Sequence, residues 1–318
     1  MKRLRIFHNT EYSYHQPVKF GPHRALMRPR EGHDLHIARA RVSISPRATL
    51  RWLRDACDNS IAIATFDEPS DRLSISSEVD VELHYEDPVE WAIAPYAQSF
   101  PFQYPPEEHI DLMAYRLPSC PYDGPMLMDW LRDLYEPGQV VGTFDLLGKL
   151  NTHIFQSFKY AHREEPGVQL PNETLQRGSG SCRDFAVLMM EAARYWGLGA
   201  RFVTGYIQLA EGQHGDATHA WTEIYLPGAG WRGFDPTKAC RQRTYFGCRR
   251  ARTGEGFSTF RFLGRPCGCF QPAQGFGAGG VGTAMMMPAG SAFGSNFQQC
   301  HAGLPERKLP SRARVQCK

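Results

Sequence analysis

No stretch of this 318-residue chain approaches the roughly 18 consecutive apolar residues that a membrane-spanning helix needs, and the mean hydropathy is −0.43. The opening MKRLRIFHNTEYSYHQ is charged and lacks the apolar stretch and small-residue cleavage site of a secretory signal. A cytoplasmic protein without membrane contact is expected. Cysteine is scarce through most of the chain: of nine, only Cys57, Cys120 and Cys182 fall before residue 239. That argues against a disulfide framework for the main body. Several chemical signatures are also missing. There is no His-Glu-x-x-His, no Cys-x-x-Cys, no glycine-rich loop leading into Lys-Ser/Thr and no aspartate-rich calcium loop. Zincin, phosphate-loop and calcium-activated chemistries therefore lack their usual marks. Cys267, Cys269, Cys300 and His301 could make a zinc site in principle, but their spacing is loose. No cofactor is implied.

Charge divides the chain. Of 36 Lys and Arg and 33 Asp and Glu, twelve bases but only two acids lie in 239–318, which leaves residues 1–238 net acidic. The same last segment holds thirteen glycines and no aspartate, and runs such as FGAGGVGTAMMMPAGSAFGS carry neither helical nor strand period. It reads as an irregular basic tail. An abrupt rise in Arg, Gly and Cys is also what a shifted frame in GC-rich coding DNA would produce. A nucleic-acid-binding role would rest on this segment alone.

Before the tail, hydrophobic periodicity assigns the elements. Residues 1–92 read as strands: RLRIFHNTEYSYH, HIARARVSIS and SISSEVDVELHYE alternate at period two, and Val79, Val81, Leu83 and Tyr85 share one face. A small all-β sandwich is the economical arrangement. Residues 93–123 form a connector whose six prolines between 95 and 121 forbid a continuous helix. Residues 124–238 turn helical and then to strands. TFDLLGKLNTHIFQSFKY has the i, i+3/i+4 rhythm, with Thr143 as its expected N-cap, and CRDFAVLMMEAARYWG is a second helix that stops at Gly197. ARFVTGYIQLA, HAWTEIYLP and GWRGFDPT follow as strands, so the class is α+β without βαβ repetition.

The chemistry concentrates in the last of these regions. Cys182 follows the small residues Gly178–Ser181 and opens an amphipathic helix, where free amides and the helix dipole favour a thiolate. By itself it is more often a buried core cysteine. His219 stands at a strand start; His214, in the loop EGQHGD, is the less firmly positioned imidazole. Asp235 lies sixteen residues beyond His219, at the end of the next strand. If the turn LPGAGW pairs those strands, the carboxylate can orient the imidazole, and the imidazole can serve the thiolate as base and acid. Alone, Asp235 could instead be a turn former before Pro236.

Taken together, Gly-Ser-Cys-Arg-Asp-Phe-Ala (180–186), Gly-Ala-Arg-Phe-Val-Thr-Gly-Tyr (199–206), His-Ala-Trp (219–221) and Gly-Phe-Asp-Pro-Thr (233–237) resemble the bacterial members of the transglutaminase-like superfamily, which has a papain-like cysteine fold. His8, Thr10, Tyr12, Tyr14, Pro17 and Leu26–Pro29 resemble the β-rich region preceding that core, as does Arg54-Asp55-Ala56-Cys57-Asp58-Asn59. The last of these usually has Gly where Asp58 stands, so a left-handed Asp58 is expected there. The resemblance covers about 1–238. It implies a Cys-bearing helix packed on an antiparallel sheet, with Cys182 as nucleophile, His219 as general base and acid, and Asp235 as orienting carboxylate. The Cys182 amide would be one oxyanion donor, and Tyr206, or an amide or aromatic group upstream of Gly178, the second. Asp184 would favour the helix N-terminus, and Trp221 would be a wall over the triad or simply core. The reaction implied is acyl transfer from a glutamine carboxamide or peptide carbonyl through a thioester, ending in cross-linking to a primary amine or in hydrolysis. The partners are a protein or peptide substrate and an acceptor amine. The alternative is a non-catalytic protein-binding module on the same scaffold.

Overall fold

The computed structural model describes residues 2–84, 92–163, 165, 167–206, 218–238, 260–264 and 307–317. The N-terminal region comprises β1 (Lys2–Val18), β2 (His23–Ala25), β3 (Leu35–Ser45), β4 (Ala48–Arg54), β5 (Ser60–Phe66) and β6 (Ser70–Leu83). β1 and β3 both pair antiparallel with β6, while β2 and β4 flank β5 in a second sheet. Period-two alternation turns Leu4, Ile6, Val79, Val81 and Leu83 inward, as expected. Tyr12, Leu73 and Ile75 of one sheet meet Ala62, Ala64 and Phe66 of the other in a shared core, so the two sheets are the layers of a small β-rich unit. Burying each large side chain there contributes roughly 1.5–3 kcal/mol. Tyr85 lies outside the described residues.

The connector folds as short pieces: β7 (Ser99–Phe100), α1 (Pro106–Asp111) and α2 (Met113–Arg116). The second half continues with α3 (Gly124–Arg132), β8 (Val141–Gly142), α4 (Thr143–Ser157), β9 (Lys159–Tyr160), α5 (Pro171–Arg177), β10 (Ser179–Gly180) and α6 (Cys182–Tyr195). The strands β11 (Ala200–Tyr206), β12 (Thr218–Leu226) and β13 (Gly230–Phe234) complete it. β11, β12 and β13 are antiparallel neighbours. From Phe185 to Ala193 every residue of α6 is buried. Its apolar side chains fill the core with Leu147, Leu150 and Ile154 of α4 and Ala220 and Ile224 of β12. Thr222 supplies a buried crosslink, its hydroxyl donating to the carbonyl of Ala186 at 2.6 Å. Glu191 is fully buried but ion-paired with Arg194 at 3.1 Å, which offsets the cost of desolvating either charge alone. This is the expected α+β arrangement, a cysteine-bearing helix against an antiparallel sheet behind a β-rich region.

Two expectations are corrected. Thr143 is the first residue of α4, not its cap: Gly142 holds the cap position, and the Thr143 hydroxyl donates to Ala97 O at 2.6 Å. That hydroxyl ties the helix to the connector, a long-range use that local capping rules cannot anticipate. The segment after 238 also contains regular structure. β14 (Phe260–Gly264) pairs with β11, and β15 (Arg307–Cys317) pairs with β1. The register of β1 against β15 shifts between Asn9 and Glu11, which is where Pro310 falls, and proline is tolerated in a strand at such a bulge. Among the described residues, no helix is long and apolar enough to cross a membrane.

Candidate active site

The site is assembled around the first turn of α6. Gly178 adopts the left-handed region at φ 61°, and Gly180 approaches so closely that a Cβ there would lie 2.9 Å from Asp184 Cβ and 3.1 Å from the Phe185 ring. Only glycine allows this turn to press against the helix start. Parallel pairing of β10 with β9 fixes its other side, with Ala161 N–H donating to Gly180 O at 2.8 Å. Ser181 then caps α6 in extended geometry, and Cys182 is the first helical residue.

Asp184 organises the surroundings. Fully buried, its carboxylate accepts the Ser181 N–H and hydroxyl at 2.8 Å each, the Gln169 N–H at 2.7 Å, and Arg163 at 2.9 and 3.1 Å. Burial opposes its ionisation, but Arg163 and the Gln169 and Ser181 donors outweigh that, holding the carboxyl below its ordinary range. Its role is therefore wider than stabilising the helix N-terminus: it ties the segment carrying Arg163 and Gln169 to the turn before Cys182.

His219 sits one residue into β12, opposite Gly205. β12 and β13 pair with Thr222 against Phe234 and Leu226 against Gly230. Asp235, one step beyond Phe234, thereby arrives beside His219. Asp235 Oδ2 accepts a hydrogen bond from His219 Nε2 at 2.9 Å, and Asp235 Oδ1 accepts from the Thr237 N–H at 3.0 Å and its hydroxyl at 2.6 Å. The Cys182 side chain lies near enough to the imidazole to help hold its proton. Burial pulls the imidazole down, but the charge and hydrogen bond of Asp235, joined by Cys182, reverse the effect and raise His219 from 6.5 to about 10. Asp235 is buried too, yet His219 and Thr237 hold it below the usual carboxylate range. The structure thus brings Cys182, His219 and Asp235 together, with the His219–Asp235 hydrogen bond fixing the last two.

Tyr160 is the member that sequence reasoning did not single out. It lies beside Cys182, and partial burial together with the nearby Cys182 and Asp235 raises the phenol to about 12. It remains a proton donor at neutral pH. The signal was the alternation Phe158-x-Tyr160 directly after α4: Phe158 and Tyr160 both contact the Phe185 ring, at 6.0 and 6.3 Å between centroids. Tyr206 is not the second donor. It is 3% exposed, hydrogen-bonds His8 Nδ1 at 3.0 Å and packs with Leu4 and Ile6. Trp221 is buried beside the site, its ring 6.5 Å from His219 and inclined by 24°. His214, Cys267, Cys269, Cys300 and His301 lie outside the described residues.

A cysteine at a helix start facing a histidine and a carboxylate on an antiparallel sheet defines a papain-like, transglutaminase-like core. Residues 4–82 match the bacterial transglutaminase-like N-terminal region and residues 143–236 match the transglutaminase-like superfamily core, together more than half of the chain. The chain belongs to the transglutaminase-like superfamily. An uncharacterized protein of Mycobacterium tuberculosis is 28% identical over 256 residues, covering 74% of this chain and 78% of that one. A solved Cytophaga hutchinsonii structure described as "a Putative Cysteine Protease" shares the fold with a TM-score of 0.64 and 16% identity, over 99% of this chain and 98% of that one.

Proposed function

We propose that the protein is a cysteine-dependent acyltransferase acting on a glutamine carboxamide or a peptide carbonyl. The observation that carries this reading is the His219–Asp235 hydrogen bond of 2.9 Å, with Cys182 beside the same imidazole. The Cys182 thiolate attacks the carbonyl carbon. The carbonyl electron pair moves to oxygen, and the oxyanion is met by the Cys182 amide and the Tyr160 hydroxyl. His219 gives its proton to the departing ammonia or amine as the C–N bond breaks, leaving a thioester. An incoming amine or water then attacks, His219 takes its proton, and the C–S bond breaks to return the thiolate. Asp235 holds the tautomer and supports the imidazolium without itself taking the proton.

Mass analysis of a glutamine-containing peptide incubated with the protein, with and without a primary amine, tests the reading. Loss of ammonia with gain of the amine indicates transfer, and peptide cleavage or bare deamidation indicates hydrolysis. Either must vanish in Cys182→Ala, and Tyr160→Phe should slow it by about 10²-fold with little change in KM, as loss of one oxyanion donor does. No Cys182-dependent product over a broad peptide set would leave a binding scaffold in place of an enzyme.

A further inference from the structure

The turn joining β4 to β5 is built to be rigid. Asp55 Oδ1 accepts the N–H groups of Cys57 at 2.9 Å and Asn59 at 2.8 Å, while its Oδ2 accepts Asn59 Nδ2 at 3.0 Å. Asp58 takes the left-handed conformation at φ 62°, as expected where related sequences have glycine, and Arg54 pairs with its carboxylate at 2.7 Å. Among the tip residues, Cys57 does not join the core of its own β-rich region. It packs instead on Val203 of β11 and Trp221 of β12, in a small cluster separate from the main core.

That cluster adjoins the site. Trp221 and His219 are two residues apart on one strand, so their side chains share a face, and their rings are near-parallel. A second contact lies on the other side of the histidine: Tyr206 bonds His8 of β1 and packs on Leu4 and Ile6. Along the β11–β12 ladder, Tyr206 faces Thr218 and Val203 faces Trp221, so the two contacts bracket the Gly205–His219 pair. The N-terminal region thus grips the strand pair that carries the imidazole immediately before and after it.

We propose that the N-terminal β-rich region is part of the catalytic apparatus, and that its β4–β5 turn, through Cys57 seated against Trp221, is a positioning element that holds the His219 imidazole in line with Cys182. This rests on the reading of Cys182 and His219 as a working pair. The turn touches no reacting atom. It acts by denying the indole, and with it the neighbouring imidazole, the freedom to shift.

The test uses the full chain as wild type, Cys57→Gly (contact emptied), Cys57→Val (apolar contact restored) and Asp55→Ala (turn untied). Two quantities are read: the rate at which iodoacetamide labels Cys182 near neutral pH, resolved from Cys120 and Cys57 by peptide mapping, and the NMR titration of the His219 ring. Among the described residues, the ionisable groups acting on that ring are Asp235 and Cys182, and none of the variants alters them. Cys57→Gly and Asp55→Ala should slow labelling by about 10-fold, within the ~10²-fold that misplacing a catalytic group can cost, and shift the His219 titration. Cys57→Val should restore both. If Cys182 of the wild type labels faster than Cys57 and Cys120, and folded Cys57→Gly matches it in rate and titration, the positioning role is overturned while the acyl-transfer reading stands. If Cys182 of the wild type labels no faster than Cys57 and Cys120, the pair itself fails and the inference goes with it. Should Cys57→Gly not fold, Asp55→Ala carries the same decision.

Discussion

At the scale of single residues, the central quantity is the imidazole raised to about 10. A group whose folded pKa exceeds its unfolded value contributes stability that is complete below the unfolded value and lost as pH rises through the folded one. The His219 contribution is therefore whole below 6.5 and declines toward about 10. Asp235→Asn removes the charge responsible, so His219 should titrate far below its wild-type value by NMR, and the loss of thermal stability between those two pH values should flatten. An unchanged titration would mean that Asp235 is not what holds the proton. Cys182, His219 and Asp235 were legible in the sequence because each carries a local sign: a helix start, a strand start, a strand end before proline. Tyr160 carried only the Phe158-x-Tyr160 alternation, which does not place it, since its position beside Cys182 depends on the parallel meeting of β9 with β10. Between Tyr206 and an amide or aromatic group upstream of Gly178 the sequence left the second donor open, because alternation along a strand says which residues share a face, not which neighbour that face meets; Tyr160 falls in the second group.

At the scale of elements, the N-terminus of α6 depends on one carboxylate. Asp184→Ala leaves Arg163, with only 14% of its side chain exposed, beside an empty acceptor site, and frees the Ser181 and Gln169 donors. Breaking a buried pair from one side costs roughly 3–5 kcal/mol. Denaturant unfolding should show a loss of that size, and a change below about 1 kcal/mol would mean that water replaces the carboxylate readily. The bounds of α6 were readable because period and punctuation agree, as at Gly197, which ends it with φ 80°, whereas β2, β4, β5, α3 and α5 were not read and α4 stops at Ser157, short of Tyr160. The strands β14 and β15 were not read either. Their regularity comes from pairing with β11 and β1, partners distant in sequence, and a strand that depends on its partner leaves a weak trace in its own residues.

At the scale of the whole molecule, the seam between the two regions is itself acid-sensitive. His8 bonds Tyr206 through Nδ1 and Thr10 through Nε2, and burial lowers it to about 4 from 6.5. The stability tied to the neutral ring is complete above 6.5 and lost as pH falls toward about 4, a difference on the order of 3 kcal/mol. Thermal midpoints should drop across that window, and His8→Gln should abolish the drop. A decline beginning only below about 3.8, where Asp184 and Asp235 take up protons, would assign it to the carboxylates instead. The β9–β10 pairing has one more consequence. Residues 159–160 and 179–180 must meet before Tyr160 can stand beside Cys182, so a nascent or partly unfolded copy lacks that oxyanion donor. On the acyl-transfer reading, the enzyme is inert toward its own synthesis machinery and becomes a reagent only once its fold has closed.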